Sequence, residues 1–509
     1  MQTIPTSHAR LDRQFLASES LTVPHGPAGM MPERILQFGE GNFLRGFADW
    51  MVDRLNREGL FHGNIAIVQP VKQGLAEIVN DQDGIYTLIL RGIEGDGLVE
   101  TREIITAASR ALNPYEDWDG VVRLARSPEL RFVFSNTTEA GIAYVEETYD
   151  GRTCPSSFPA KVTALLHERF LAVHGDPAKG LVFLPCELIE SNGAKLREYV
   201  LKHAEAWRLG AGFVNWVETA NHFLNTLVDR IVPGYPGEES ARLKTELGYE
   251  DRLMVAAEVF HLWVIEGPGH LAEEIPFHKA GLNVVWTDDM TPFRTRKVRV
   301  LNGAHTSSVL GAFLAGLDTV GAMMDDEVFG RFLRQAVFDE IVPALKMDDA
   351  ERRGYANAVL ERFRNPFIKH ELLSISLNSV SKWKVRVLPS LLDSLAENGA
   401  LPPALVFSLA ALIGFYDGVP VSDTELRGTR DGAAYPIRDD APVLRFFAEQ
   451  WQLFHASGDL PALVGAVLAN PGLWGRDLTR IDGLADAVTA DLQAILTNGA
   501  RAAAQSILK

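Results

Sequence analysis

The chain has 509 residues, 47% of them hydrophobic and 23% charged, enough for two large domains or three smaller ones with sizeable cores. A formal net charge of −17 argues against a nucleic-acid or anionic-membrane partner, because either would select a basic face; an anionic small substrate in a locally basic cleft stays open. Two cysteines, Cys154 and Cys186, are too few for a disulfide framework or a cysteine zinc site, and they fit a reducing compartment.

The opening "MQTIPTSHARLDRQF" has no apolar h-region, so no secretory signal is expected. Residues 1–29 read as an N-terminal extension, disordered over about its first 25 residues. Residues 30–290 alternate strand-like and helix-like runs. "RILQF" (34–38) is a short apolar strand followed by Gly39, Gly41 and an amphipathic helix from Phe43 to Asn56. "NIAIVQP" is the next strand, "YTLILRG" and "VETREIIT" pair around the turn "IEGDG", and "RFVFSN" and "GLVFLP" are again short and apolar. Helices are expected over 115–126, 160–173 and 194–207. Such alternation specifies an α/β Rossmann-type domain with a mostly parallel sheet covered on both faces.

After "NVVWTDD" (283–289) the pattern turns helical, with Pro292 suited to a first helical turn. Residues 291–509 are therefore expected to be a mainly α-helical C-terminal domain. "ALVFSLAALIGFY" (404–416) is too short for a bilayer, which needs about 20 residues, and reads as a buried helix. No transmembrane segment is expected, and the chain is assigned to the cytoplasm.

"ILQFGEGNFLRGF" places G-x-G between a strand and a helix, where glycines let backbone N–H groups approach a pyrophosphate. A tight turn alone would explain the glycines; the alternating α/β context favours a dinucleotide cradle made by Phe38, Gly39, Gly41, Asn42 and Phe43. Arg45 is a candidate phosphate contact, with a solvated helix position as the alternative. The acidic residue expected after the second strand is missing: Gln69 and Lys72 stand there instead, and Lys72 is the residue that would meet a 2′-phosphate. Asn136, Thr137, Thr138 and Glu139 follow a strong strand, at the edge where a nicotinamide or its ribose would lie; loop capping explains them equally well.

"KVRVLNGAHT" puts Lys297, Asn302 and His305 into an apolar stretch. On one α-helix over 292–316, at about 100° per residue, they fall near 0°, 140° and 80° and span about 12 Å of axis. A lysine buried there is a general base of lowered pKa, an asparagine amide can donate to a developing alkoxide, and a histidine can hold a hydroxyl. The set suits proton removal from a secondary alcohol as hydride leaves the same carbon.

K-x-x-x-x-N-x-x-H is the pattern of the polyol-specific long-chain dehydrogenases, and this chain resembles that mannitol dehydrogenase family. "QFGEGNFLRGFADW", "FSNTTEAGI", "PCELIESNG", "LVDRIVPGYP" and "RFRNPFIKHELLSISLNSVSKWKVRVLP" look like its sugar-acid branch, in order from about residue 30 onward. The resemblance implies a Rossmann-type domain followed by a helical one. It also implies NAD-linked, metal-independent interconversion of D-altronate and D-tagaturonate in hexuronate catabolism. By the same resemblance Lys297 is the general acid/base, Asn302 and Asn192 are the amides around the reacting oxygen, and His305 orients the substrate. Asp229 becomes a carboxylate near the site and Lys382 a substrate contact, helped by His370 or Lys369. Polyol-oxidising relatives carry an arginine eight residues before that lysine, where this chain has Ser374.

Fructuronate reduction, on another epimer, is the alternative within the family. A nucleotide-binding sensor would not need the lysine, and a zinc enzyme is disfavoured by the irregular spacing of His261, His270 and His278. Lys384 and Arg386 stand between substrate contact and a solvated basic face. The expected partner is a small sugar acid, with the protein a monomer or small homo-oligomer.

Overall fold

The computed structural model describes residues 9–19, 31–95, 97–138 and 140–508. The chain divides into two compact units, residues 1–290 and 291–509.

The first unit carries β1 (Ala9–Arg10), β2 (Glu33–Phe38), β3 (Asn64–Val68), β4 (Tyr86–Glu94), β5 (Gly97–Ile105), β6 (Ala108–Leu112), β7 (Phe132–Ser135), β8 (Val182–Pro185), β9 (His222–Phe223), β10 (Asn225–Asp229), β11 (Tyr249–Glu250), β12 (Val255–Glu258), β13 (Leu262–Glu266) and β14 (Val284–Thr287). Its main sheet runs β6-β3-β2-β7-β8-β9, parallel at every pairing. Counted within the sheet this is the 3-2-1-4-5-6 order of the doubly wound dinucleotide fold. Both faces are buried, and the pleat sorts each strand's residues between two cores. Ile35, Ile65, Ile67, Phe132 and Phe134 join one, while Leu36, Phe38, Ala66, Val68 and Val133 join the other. β4 and β5 form the expected antiparallel pair, extended by β12.

Two expectations change here. Part of the extension expected to be disordered is folded: β1 pairs with β11, and Leu11 and Leu16 are buried against Ile85 and Tyr249. Apolar side chains on either side of the N-cap Asp12 give this segment a hydrophobic face to bury. The single helix expected from Phe43 to Asn56 is broken into Asn42–Arg45 and Ala48–Arg57. At the break, a Cβ on Gly46 would lie 3.0 Å from Val232 and 3.1 Å from Val255, so the chain passes where only glycine fits easily.

The second unit is helical around Pro403–Phe415, of which residues 404–415 are all buried. Among the described residues no helix is long and apolar enough to cross a membrane. The unit also holds an antiparallel sheet of β15 (Gly418–Ser422), β16 (Glu425–Arg430) and β17 (Ala433–Ile437), which the helical expectation lacks. Its signal is present in the sequence: Asp431-Gly432 joins β16 to β17 with φ of +51° and +79°, the Asp-Gly hairpin turn.

Candidate active site

In the first unit the glycine turn closes over the C-terminal end of β2. Gly39 has φ +123°, and a Cβ there would lie 2.9 Å from the Asn136 carbonyl oxygen, so backbone meets backbone without room for a side chain. A Cβ at Gly41 would meet nothing within 4 Å, which leaves that side of the turn open to approach. Phe38 is buried, and Phe43 is half-buried and stacked on Phe47 at 5.0 Å.

The polar side chains around this turn hold the protein's own backbone. Arg45 is not a solvated residue: it is 3% exposed, and its Nε donates to Glu40 O at 3.0 Å. Its Nη1 donates to Leu253 O and its Nη2 to Asn42 Oδ1, which also engages the Asn42 side chain. Gln69 donates to Val71 O and Lys72 O and accepts from the Ala76 N–H, so its amide shapes the loop after β3. Lys72 is exposed.

At the ends of β7 and β8, Asn136 donates to Cys186 O at 3.0 Å. The Thr137 N–H and hydroxyl both donate to Glu187 at 2.9 Å, and the Ser135 hydroxyl joins them. Glu187 is absent from the candidates that the sequence suggests, although it stands two residues past the strand in "FLPCE". Burial pushes its carboxyl pKa up, opposed by these hydrogen bonds. Thr138 has φ +78°, a left-handed conformation costly for a β-branched residue and common beside functional sites. Glu139 lies outside the described residues.

Asn192 is 1% exposed and fully engaged. Its Nδ2 donates to the carbonyls of Pro185, Glu187 and Thr226, and its Oδ1 accepts from the Gly193 and Thr226 N–H groups. That amide ties β8's exit loop to β10. Asp229 is buried at the last position of β10. Among the described residues no group of three His, Cys, Asp or Glu side chains is placed to hold a metal ion.

The second unit opens differently. The α-helix expected over 292–316 is an α-helix Thr291–Arg296, a π-helix Lys297–Asn302 and an α-helix Gly303–Leu314. A π turn bonds i to i+5, so the 100° step fails inside it, and residues five apart lie one above the other. Lys297 and Asn302 are five apart and both half-buried. π turns persist at functional sites because they re-aim side chains.

His305, in the next turn, is buried and stacked on Phe363 at 4.0 Å and 7°. Its Nε2 is buried with no hydrogen-bond partner. The His370 ring stands edge-on to it at 5.2 Å. Burial, then the positive charges of His370, Arg362, Arg386 and Lys382, hold the His305 pKa well below the usual histidine range, leaving a neutral imidazole. Lys382, half-buried on the helix Ser379–Arg386, donates to Ile375 O at 2.9 Å; burial and then Arg386 lower its pKa. Lys369 points the other way, its side chain 79% exposed and its Nζ 4.0 Å from Glu371. Arg362 thus joins His305, His370, Lys382 and Arg386, of which the sequence leaves Arg386 open between substrate contact and a solvated face.

The mannitol dehydrogenase Rossmann-domain model matches residues 33–279, and the mannitol dehydrogenase C-terminal-domain model matches residues 289–496. A protein named altronate oxidoreductase from Yersinia enterocolitica is 47% identical over 480 residues, which is 94% of this chain and 97% of that one. Proteins of the same name from Cronobacter sakazakii (47% over 478 residues, 93% and 97%) and Escherichia coli (45% over 484 residues, 94% and 98%) are similar to the same extent. Among solved structures, a D-sorbitol dehydrogenase in substrate-free form superposes with a TM-score of 0.78 at 23% identity, covering 97% of this chain and 99% of that one. Pseudomonas fluorescens mannitol 2-dehydrogenase, in ternary complex with NAD and D-mannitol, gives 0.67 at 22%, covering 98% and 99%. With both domain models matched, close to half of all positions shared with full-length relatives, and the parallel sheet and helical unit in place, the chain belongs to the mannitol dehydrogenase family of oxidoreductases.

Proposed function

We propose that this chain interconverts D-altronate and D-tagaturonate with NAD, using Lys297 as general acid/base. The relatives named altronate oxidoreductase support the substrate, and the glycine turn supports the dinucleotide: Gly39 has no space for a Cβ, and the Gly41 side is open. NAD, when bound there, supplies the hydride acceptor or donor. The protein's share is proton transfer and positioning.

The observation that carries this reading is the π turn, which brings Lys297 and Asn302 to one face immediately before the unpartnered Nε2 of His305. Lys297 takes the proton from the substrate hydroxyl on oxidation and returns it on reduction. The Asn302 amide donates to the same oxygen as it becomes negative. His305, neutral, offers Nε2 to a second hydroxyl and so fixes which carbon faces the hydride path. Asn192 acts through backbone, by holding β8's exit loop against β10, where Asp229 ends the strand. Gln69 likewise shapes the cradle instead of gripping a ribose.

The test is a panel of aldonates and ketouronates with both nicotinamide cofactors. The expected result is a higher kcat/KM for tagaturonate than for fructuronate, and for NADH than for NADPH. Faster fructuronate turnover would move the substrate to the other epimer; equal or reversed cofactor preference would overturn the NAD assignment and point to Lys72.

A further inference from the structure

The helix Ser379–Arg386 crosses the start of the helix Gly303–Leu314 at close range: a Cβ on Gly303 would lie 3.3 Å from the Arg386 carbonyl oxygen. Lys382 and Arg386 are four apart, so they share one face of their helix. Lys382, Arg386 and Arg362 each act on His305 to disfavour its protonation, and the His370 ring stands 5.2 Å from it. In a chain of net charge −17, three cationic side chains acting on one buried histidine stand out.

Arg386 differs from its neighbours in the same unit. Arg296 meets Glu351 at 2.6 Å, Arg430 meets Asp318 at 2.7 Å, and Arg299 is paired with Asp393. Arg386 is half-buried, yet its described hydrogen-bond contact is the Thr306 hydroxyl at 3.5 Å, long for a hydrogen bond. No carboxylate among the described residues pairs with it. The acid that acts on Lys382, Asp439, is already engaged by the Tyr416 hydroxyl and the Asp440 N–H. A partly desolvated guanidinium without a counter-charge is costly unless a ligand provides one, and a carboxylate matches its fork with two parallel hydrogen bonds.

We propose that Arg386, flanked by Lys382 one turn earlier, holds the carboxylate of the sugar-acid substrate and sets the preference for an acid over a neutral sugar. This rests on the proposed function and names its specificity residue. His305 and Asn302 then read hydroxyls and the reacting oxygen, while Arg386 reads the far end of the substrate. Lys382, with one donor fixed on Ile375 O, contributes charge and a second hydrogen bond.

The experiment compares reduction of D-tagaturonate with that of D-tagatose, which carries CH₂OH where tagaturonate carries the carboxylate. The full-length protein is assayed as wild type, Arg386→Gln, Arg386→Lys and Lys384→Gln. Arg386→Gln should lower kcat/KM on tagaturonate by about 10- to 100-fold, the loss of one charged hydrogen bond, mostly through KM. Its kcat/KM on tagatose should stay within about two-fold. Arg386→Lys should recover part of the loss, and it serves as the test if the glutamine variant does not fold. Lys384→Gln, on the same helix but lying over Gly475, should change neither substrate. Equal losses on both substrates, or none on either, overturn the proposal while a tagaturonate-selective wild type preserves the functional reading. A wild type that reduces tagatose as well as tagaturonate overturns both.

Discussion

The candidate residues around the glycine turn and those around the π turn use their polar atoms differently. Around the glycine turn, Arg45, Gln69, Asn136, Thr137 and Asn192 all bond within the protein, mostly to main-chain groups, and what they leave for a ligand is backbone. Around the π turn, His305 keeps a buried nitrogen without a partner and Arg386 a cation without a counter-charge. A dinucleotide phosphate is recognised by N–H groups, so the first unit needs shape, and its buried polar groups enforce it. Proton transfer and substrate orientation need side-chain atoms, and in the second unit the His305 nitrogen and the Arg386 guanidinium stay available.

The strongest break of this contrast is Lys297→Ala. Turnover should fall by about 10²- to 10⁴-fold, the usual worth of general acid–base catalysis, with NADH affinity nearly unchanged by fluorescence titration. A loss confined to KM would give the lysine a structural task instead. Arg45→Met probes the other unit. Removing the guanidinium leaves the Glu40 and Leu253 carbonyls unmet, so denaturant unfolding should show a loss of about 2–4 kcal/mol. A fully stable Arg45→Met that binds NADH poorly would return Arg45 to the phosphate.

Gly39→Ala sharpens the claim that the cradle is a matter of shape. With φ +123° and a contact of 2.9 Å to Asn136 O awaiting the new Cβ, it should cost about 2–3 kcal/mol and weaken NADH binding. Unchanged stability and affinity would show that the turn has room to relax. The smallest effect distinguishes two histidines. His261 is partnered at both ring nitrogens, by Val259 O and the Asn283 N–H, and burial lowers its pKa to about 4. A histidine kept neutral in the fold binds fewer protons than the unfolded chain once pH drops below about 6.5. Its contribution is intact above that pH and is lost as pH falls toward 4. His261→Gln should therefore flatten the acid side of the stability curve by about 1–2 kcal/mol at pH 5 and leave turnover alone. His305→Gln should raise KM instead.

Much of the fold is legible in the sequence because its signals are local and periodic. Short apolar runs buried on both sides mark the strands of a parallel sheet, and Gly39 and Gly41 mark its phosphate turn. The hairpin at β16–β17 is legible too, in Asp431-Gly432, but it lies inside a region whose periodicity reads as helical throughout. The site is legible by type and less so by role. Lys297, Asn302 and His305 stand out as polar residues in an apolar stretch, while a helical wheel applied to them assumes an α-helix that becomes a π-helix at Lys297. Arg362 looks like an ordinary surface arginine, and Arg386 stands undecided between a solvated face and a substrate contact.

The alternating first unit, the helical character of the second and the glycine turn follow from local sequence alone. Periodicity, β-branched runs and the absent Cβ act within a few residues of chain. Packing is what sets Arg45 and Asn192 on main-chain groups, folds Leu11 and Leu16 onto the sheet unit, and leaves Arg386 beside Thr306 without a counter-charge. Those outcomes depend on which carbonyl, ring or charge arrives from elsewhere in the chain: Leu253 lies 208 residues from Arg45, and Thr306 lies 80 from Arg386. A side chain's role follows from which of its donors and acceptors are already taken, and that is fixed by packing, after the local code has been read.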